Sequence, residues 1–279
     1  MGGVKKIYGI VGHPVAQSLS PAINNAAFKA AEIDAEYKFF DIDPKDPQEL
    51  ANFCYETDIN HIAGFTVTMP YKQAVMTYMD HYDPLAQMVG SVNTVLNEKS
   101  KLIGYNTDAR GALEALREKT TEVEGKKTLV LGAGGAGIAI LYALREAGAN
   151  LYVCDKTKEE TEKAAKDLNI KPFFNAREAK KANFEIIVNA TPVGMVGPRE
   201  NETILTAADI PSGCLVMDIV NAPLETKLIQ EAKKAGAVTI TGERMLLFLS
   251  AAQFEIWTKK EAPLEAMEKA MYEAISKRK

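Results

Sequence analysis

Cysteine and histidine are scarce in this sequence. Its 279 residues include three cysteines, Cys54, Cys154 and Cys214, which lie far apart, and three histidines. An odd number of scattered cysteines disfavours a disulfide framework, and the dispersed histidines lack the spacing of zinc ligands. We therefore expect reduced thiols and no bound metal.

Long runs of one kind of side chain are also missing. No apolar run reaches the length of a membrane span, and no block of lysine and arginine suits a nucleic-acid or anionic-membrane surface. The first residues lead directly into a predicted strand, without the apolar segment of a signal peptide. We expect a cytoplasmic protein whose partners are small molecules or a second copy of itself, with no nucleic acid and no membrane among them.

Strand and helix patterns alternate along most of the sequence. Before position 108, strands are predicted at 7–11, 37–41, 63–67, 91–96 and 102–105, and helices at 21–31, 47–57 and 71–79. A helical pattern at 108–118 and a polar stretch at 118–127 follow. Later strands are predicted at 128–131, 150–154, 186–189, 215–219 and 238–239, and final helices at 245–257 and 263–276. This alternation predicts α/β structure, with a parallel sheet and right-handed crossovers after position 128.

A glycine-rich loop follows the strand at 128–131 and reads Gly132-Ala133-Gly134-Gly135-Ala136-Gly137. In this pattern the first glycine permits a tight turn, the second lets the backbone approach phosphates, and the third allows close packing of the next helix. The predicted helix at 138–147 directs its free N–H groups at the phosphates. By itself the pattern also occurs in ordinary strand–helix turns.

An acidic residue at the end of the next strand supports a dinucleotide site. Asp155 lies 23 residues after Gly132, where a nucleotide-binding unit places the acid that binds the adenosine ribose. The turn at 189–195 is expected to form a second loop beside the cofactor. Because about 125 residues precede the glycine loop, we expect a substrate domain before the nucleotide unit.

Two positions in the first part of the chain suit chemistry as well as ordinary structure. Pro70 suits a first helical position, so Lys72 would lie in a first turn, where the helix dipole disfavours a cation. Such a lysine suits proton exchange, but it could also be a solvated surface residue. Ser20 is either a simple N-cap or, with Ser18, part of an anion site at a helix N-terminus.

Three further polar residues lie at predicted element ends. Asp108 suits an N-cap, and it would form a proton-transfer pair if it lies beside Lys72. Thr68 and Asn93 lie near strand ends, where α/β sheets bind their ligands.

Taken together, these residues resemble the shikimate dehydrogenase family, whose members reduce 3-dehydroshikimate to shikimate with a nicotinamide cofactor. The resemblance covers almost the whole chain and rests on several motifs in one order. These motifs are Gly12-His-Pro, Ser18-Leu-Ser20-Pro21, Thr68-Met-Pro70-Tyr-Lys72, Val92-Asn93-Thr94, Asn106-Thr-Asp108, the glycine loop, Asn189-Ala-Thr191-Pro, Pro223-Leu-Glu-Thr226 and Met245-Leu.

The resemblance implies a role for each site residue. Ser18 and Ser20 would bind the substrate carboxylate, whereas Thr68, Asn93 and Asp108 would bind ring hydroxyls. Lys72, with Asp108, would donate a proton to the carbonyl oxygen as hydride arrives. The family also implies a substrate domain of residues 1–107 and 245–279, a Rossmann-type doubly wound dinucleotide domain of residues 108–244, and often a homodimer.

Four positions depart from the family pattern. Leu249 stands where the family usually has a glutamine that contacts substrate, and Asn221 replaces a tyrosine, although Asn221 remains a candidate substrate-binding residue. Arg244 and Ala109 each replace a glycine. One side of the substrate pocket is therefore expected to differ, and quinate or a related polyol acid is an alternative substrate.

The cofactor segment after the second nucleotide-unit strand also departs from the pattern. Many family members have Asn-Arg-Thr where this chain has Asp155-Lys156-Thr157. Asp155 would repel the 2′-phosphate of NADP and bind the bare ribose of NAD, whereas Lys156 offers a point charge without a bidentate fork. We expect NAD to be used at least as well as NADP. The residues predicted to line the cofactor are Gly132, Ala133, Gly134, Gly135, Ala136, Gly137, Asp155, Lys156, Thr157, Thr191, Ile219 and Gly242.

A different class of function is a nucleotide-sensing or metabolite-binding protein that keeps the fold without efficient chemistry. The retained pair Lys72 and Asp108 disfavours it, because a sensor does not need proton transfer.

Overall fold

The computed structural model describes residues 5–120 and 122–277, and the chain divides into two compact units. The first unit is Met1–Thr107 with Leu249–Lys279, and the second unit is Asp108–Phe248. Helix α8, Gly242–Thr258, contains the later boundary and contributes residues to both units. Thr121, in the polar stretch predicted at 118–127, lies outside the described residues.

The first unit contains a mixed six-stranded sheet. Its strands are β1 Lys6–Gly12, β2 Ala35–Asp41, β3 Ile62–Val67, β4 His81–Tyr82, β5 Thr94–Glu98 and β6 Lys101–Tyr105, in the order β2-β1-β3-β5-β6-β4. Strand β1 pairs in parallel with β2 and β3, whereas β5 is antiparallel to both β3 and β6. The β5–β6 turn contains Lys99 and Ser100 at φ of 54° and 62°, as in a tight hairpin.

Helices pack on this sheet through apolar and aromatic side chains. They are α1 Ser20–Ala30, α2 Pro47–Tyr55, α3 Pro84–Val89, α9 Leu264–Ser276 and the later part of α8. The ring of Tyr8 lies 5.0 Å from that of Phe28 and 5.1 Å from that of Trp257, so β1, α1 and α8 share one core. Asp46 and Asp83 cap α2 and α3 by accepting backbone hydrogen bonds.

The second unit contains a fully parallel sheet. Its strands are β7 Lys127–Leu131, β8 Asn150–Cys154, β9 Lys171–Pro172, β10 Ile186–Asn189, β11 Leu215–Asp218 and β12 Val238–Ile240, in the order β12-β11-β10-β7-β8-β9. Its helices are α4 Asp108–Arg117, α5 Gly135–Glu146, α6 Lys158–Leu168, α7 Lys227–Lys234 and the first part of α8. This order is that of a doubly wound Rossmann sheet, so the predicted fold class is confirmed.

Two predicted helices differ from the structure. The helix at 71–79 is wrong, because Pro70 and Lys72 lie in a turn and only a 3-10 helix, Ala74–Tyr78, follows. Helix α5 begins at Gly135 rather than at 138, so the second half of the glycine loop forms its first turn. The short elements α3, β4 and β9 carry too few residues for a visible period and were not predicted.

Several findings bear on the absences noted in the sequence. Within residues 5–120 and 122–277, no helix is both long and apolar enough to cross a membrane, and no group of three or more histidine, cysteine or acidic residues could hold a metal ion. All three cysteine thiols are free, and burial raises the pKa of both Cys54 and Cys214 to about 12.

Candidate functional site

The glycine loop of the second unit is shaped by close backbone packing. Gly132 has a φ of +95°, and its N–H donates to the Cys154 carbonyl at 2.8 Å. A Cβ at Gly137 would lie 2.2 Å from the Gly132 carbonyl oxygen, so no larger residue fits there without a backbone shift. A Cβ at Gly134, by contrast, would meet no described atom within 4 Å. The open side of Gly134 therefore leaves space for a ligand.

The N-terminus of α5 faces this open position. Gly134 is its N-cap, Gly135 and Ala136 are its first two residues, and no side chain in the described part of the chain caps this end. The first N–H groups of a helix lack partners within the helix and attract anions. The loop thus has the geometry of a pyrophosphate site.

Asp155 connects the end of β8 to the glycine loop. Its Oδ2 accepts the Ala133 N–H at 2.7 Å, and its Oδ1 accepts the Lys156 N–H at 2.7 Å. Lys156 is exposed, with its Nζ 3.1 Å from Glu160 Oε1, and Thr157 caps α6. Asp155, the residue predicted to bind the ribose, therefore also orders the glycine loop, whereas Lys156 and Thr157 contact α6.

A buried carboxylate that the sequence interpretation missed lies at the ends of β10 and β11. Asp218 Oδ1 accepts Asn189 Nδ2 at 2.9 Å and the Val220 N–H at 3.1 Å, and its Oδ2 accepts the Thr226 hydroxyl at 2.6 Å. Burial raises the pKa of Asp218 to about 6. Asn189 Oδ1 in turn accepts the Thr191 hydroxyl at 2.7 Å. The sequence does contain a signal for Asp218, namely an acidic residue at the end of the apolar strand Leu-Val-Met-Asp.

Ile219 and Gly242 lie beside this network. The Ile219 N–H donates to the Asn189 carbonyl at 3.1 Å. A Cβ at Gly242 would lie 2.3 Å from the Val220 carbonyl oxygen, so glycine is required for close packing at the start of α8. The predicted cofactor-lining residues Thr191, Ile219 and Gly242 thus lie in neighbouring segments: after β10, after β11 and at the start of α8.

The serine pair of the first unit has a different arrangement from the predicted one. Ser20 is the first residue of α1 rather than its N-cap, and Leu19 occupies the cap position. The Ser18 hydroxyl instead accepts the Ser20 N–H at 3.2 Å. Ser18 is half-buried, whereas Ser20 is only 1% exposed. The N-cap interpretation of Ser20 is therefore wrong, and Ser18 has a local structural role.

Thr68, Lys72 and Asn93, which we call the polar edge, are held together by main-chain hydrogen bonds. The Asn93 carbonyl accepts the Val67 N–H at 2.8 Å, and the Lys72 carbonyl accepts the Val92 N–H at 2.8 Å. The segment that carries Thr68 and Lys72 therefore lies alongside the residues around Asn93. The turn conformation removes the helix-dipole argument for Lys72, which lies in the turn that follows β3.

Asp108 and Asn221 belong to the second unit. Asp108 is the first residue of α4, is 2% exposed, and directly follows Thr107, whose N–H donates to Asn93 Oδ1 at 2.8 Å. Asn221 is exposed in the segment after β11. Lys72 belongs to the first unit, and its pairing with Asp108 stays a prediction.

Two departures from the family pattern lie on α8. Arg244 forms an ion pair with Glu118 of the same unit, with its Nε 2.7 Å from Glu118 Oε2. Leu249 is half-buried. One turn later Gln253, which the sequence interpretation also missed, is fully buried and hydrogen-bonds Thr66 and Thr94.

The sequence and fold are similar to those of characterised proteins. A protein-family model described as "Shikimate dehydrogenase substrate binding domain" matches residues 10–95 of the sequence. A second family model, "Shikimate 5'-dehydrogenase C-terminal domain", matches residues 250–272. The chain is 38% identical over 282 residues to "Shikimate dehydrogenase (NADP(+))" of Methanocaldococcus jannaschii, with 98% of each chain covered.

Two solved structures extend this similarity. Shikimate 5-dehydrogenase from Thermus thermophilus, in complex with NADP(H) and shikimate, has a TM-score of 0.87 at 34% identity, covering 96% of this chain and 99% of that one. Shikimate 5-dehydrogenase from Listeria monocytogenes, in complex with shikimate and NAD, has a TM-score of 0.83 at 32% identity, covering 96% and 97%.

Proposed function

This chain belongs to the shikimate dehydrogenase family, and we propose that it catalyses the reversible reduction of 3-dehydroshikimate to shikimate with a nicotinamide dinucleotide. The observation that carries the proposal is the glycine loop, in which Gly132 and Gly137 are closed by backbone packing while Gly134 opens toward the N-terminus of α5. This arrangement suits a pyrophosphate, because it combines free helix N–H groups with a backbone that a ligand can approach closely.

The two units divide the binding of the ligands. Residues 108–244 bind the dinucleotide, and residues 1–107 with 245–279 bind the substrate. In the substrate unit, Ser18 and Ser20 bind the carboxylate, and Thr68 and Asn93 bind ring hydroxyls. Support for this division comes from the parallel sheet and glycine loop in one unit and from the polar edge in the other.

Lys72 and Asp108 carry out the proton transfer. The bound nicotinamide supplies the hydride to the carbonyl carbon. The Lys72 ammonium donates a proton to the carbonyl oxygen as negative charge develops there, and in the reverse direction the neutral amine takes the hydroxyl proton. The Asp108 carboxylate orients the ammonium, and Asn221 completes the substrate contacts. In this reaction the carbonyl gains one hydride and one proton.

NAD is used at least as well as NADP. The Asp155 carboxylate lies at the glycine loop, where it accepts the Ala133 N–H, so a ribose 2′-phosphate bound there would meet a negative charge. Lys156, the nearest cation in sequence, is engaged with Glu160. These features favour the bare ribose of NAD.

The enzyme works in the cytoplasm as a homodimer.

A panel of substrates tests the proposal. Purified protein is assayed with shikimate, quinate and close analogues, each with NAD and with NADP, by the absorbance of the reduced nicotinamide. The proposal predicts the highest kcat/KM with shikimate. A preference for quinate would favour the alternative based on Leu249 and Asn221, and the absence of turnover with every pair would favour a binding protein. Light scattering of the same sample tests the homodimer.

A further inference from the structure

A continuous line of buried hydrogen bonds crosses the first unit behind the polar edge. The Tyr37 hydroxyl donates to Thr66 Oγ1 at 2.6 Å, and the Thr66 hydroxyl donates to Gln253 Oε1 at 3.0 Å. Gln253 Nε2 donates to Thr94 Oγ1 at 3.1 Å, and the Thr94 hydroxyl donates to Asn93 Oδ1 at 2.8 Å. We call these five residues the Gln253 network. Every donor in it points from Tyr37 toward Asn93.

All members of the Gln253 network are removed from solvent. Gln253 and Thr94 are 0% exposed, and the other three members are at most 6% exposed. Burial raises the pKa of Tyr37, which keeps its phenol protonated as the first donor. Because water cannot replace a missing partner at these positions, the loss of one member leaves each of its neighbours with one hydrogen bond fewer.

One end of the network is the buried phenol of Tyr37, and the other end is Asn93, a candidate substrate-binding residue. Asn93 Oδ1 accepts both the Thr94 hydroxyl and the Thr107 N–H, at 2.8 Å each. With Oδ1 held as an acceptor, the amide of Asn93 has a fixed orientation, in which Nδ2 donates to Thr107 Oγ1 at 3.1 Å. An orientation of this kind is what a binding residue needs in order to recognise one hydroxyl of a polyol.

Gln253 is the member that joins the two halves of this line. Its carboxamide both accepts and donates, so it connects Thr66 on β3 with Thr94 on β5. It extends from α8, where the indole of Trp257, one turn further on, donates to the Val95 carbonyl at 2.9 Å. Helix α8 is thus fixed against β5 at two successive turns.

We propose that Gln253 is a positioning residue for substrate binding, which orients the Asn93 amide through Thr94 and ties it to Thr66 and Tyr37 on the far side of the network. The proposal rests on the proposed function, because it takes Asn93 as a substrate-binding residue. Gln253 acts only through its neighbours.

The test is Gln253→Met, which keeps the length of the side chain and removes both hydrogen-bonding groups. The expected result is a rise in KM for shikimate of about tenfold, the loss expected when one hydrogen bond is misdirected, with the KM for the dinucleotide unchanged. Shikimate binding without cofactor is measured separately by isothermal titration calorimetry. The dissociation constant from that titration should rise by the same factor.

Ser250→Ala provides the matched control. Ser250 is buried on the same helix, and its hydroxyl has no hydrogen-bond partner among the described residues. This variant should keep the wild-type KM for shikimate.

Thr94→Val provides a second test of the same network, since it preserves the shape of the side chain and removes the hydroxyl between Gln253 and Asn93. The double variant Gln253→Met with Thr94→Val should be no worse than the more affected single variant.

An unchanged KM for shikimate in Gln253→Met, with wild-type activity intact, would overturn the proposal and leave the proposed function standing. Equal rises in the KM for shikimate and for dinucleotide would also overturn it, because they indicate general loosening. If Gln253→Met does not fold, the proposal is tested with Thr94→Val, and the same changes in the KM for shikimate and for the dinucleotide support or overturn it. Failure of the wild-type protein to bind or oxidise shikimate would instead refute the proposed function itself.

Discussion

The glycine loop of the second unit and the polar edge of the first unit are built on different principles. In the glycine loop, the shape is set by residues that lack a side chain, and Gly137 approaches Gly132 too closely for any Cβ. At the polar edge, Asn93 is oriented by side chains from β2, β3, β5 and α8. A dinucleotide phosphate needs backbone N–H groups, whereas a polyol ring needs directed side-chain donors. The comparison predicts that the two sites fail in different ways when they are altered.

The largest effect is expected at the polar edge. Replacing Lys72 with Ala removes the proton donor, so kcat should fall on the order of 10²–10⁴-fold. Binding of shikimate, measured by isothermal titration calorimetry, should change much less, because the proton is needed mainly in the transition state. A variant with nearly normal turnover would remove Lys72 from the mechanism.

The second effect concerns the backbone of the glycine loop. Gly137→Ala places a Cβ 2.2 Å from the Gly132 carbonyl oxygen, so the free energy of unfolding should fall by about 1–3 kcal/mol. The KM for the dinucleotide should rise as the loop shifts. Thermal unfolding and initial rates measure the two quantities.

Gly134→Ala is the matched comparison for Gly137→Ala. Its Cβ would meet no described atom within 4 Å, so stability should stay within about 0.5 kcal/mol of wild type. The KM for the dinucleotide should still rise, because the methyl group occupies the space left for phosphate. Equal losses of stability in the two variants would refute the distinction between packing and ligand approach.

The third effect is a pH dependence in the second unit. Asp218 has a raised pKa of about 6, against an ordinary value of 3.8, so folding favours its protonated form. Its contribution to stability is therefore full below pH 3.8 and is lost as the pH rises through about 6, which amounts to about 3 kcal/mol.

Asp218→Asn isolates this contribution. The variant cannot ionise there, so its free energy of unfolding minus that of wild type should become more positive by about 2 kcal/mol between pH 4 and pH 7. Urea unfolding at several pH values measures the difference. A difference that does not vary with pH would show that Asp218 has an ordinary pKa in the folded protein.

The smallest effect concerns cofactor choice. Asp155→Asn removes a negative charge beside the glycine loop, so the ratio of kcat/KM for NADP to that for NAD should rise by about fivefold. Lys158→Gln is the control, since its side chain is exposed and paired with Glu162 on the same helix. An unchanged ratio in Asp155→Asn would exclude Asp155 from the selection of the cofactor.

The same contrast explains how far the sequence could be interpreted. The glycine loop was predictable because its residues are adjacent in the sequence, and the parallel sheet was predictable because each of its strands and helices has a local pattern. The helix at 71–79 was wrong because a turn around Pro70 precedes a short 3-10 helix, and composition alone does not separate the two. The N-cap assignment of Ser20 was wrong by one residue, because Leu19 occupies the cap position. The hydroxyl that accepts a backbone N–H at this helix end belongs to Ser18.

The hydrogen-bonding roles of Gln253 and Asp218 could not be assigned from the sequence for a physical reason. The partners of Gln253 lie 187 and 159 positions away, so its role appears only once α8 is packed against β3 and β5. In the sequence it is one of several polar residues of this helix, beside Ser250 and Glu255. Asp218 likewise ends an apolar strand, and its partners Asn189 and Thr226 come from other segments. Hydrogen bonds between segments that are distant in the sequence produce no recognisable pattern among neighbouring residues.

The most direct test of the account is the stoichiometry of the reaction catalysed by the purified wild-type chain. With shikimate and NAD or NADP, the account predicts that one dinucleotide is reduced for each shikimate oxidised to 3-dehydroshikimate, as followed by nicotinamide absorbance and product analysis. Protein that binds both ligands yet reduces neither dinucleotide with shikimate would contradict it.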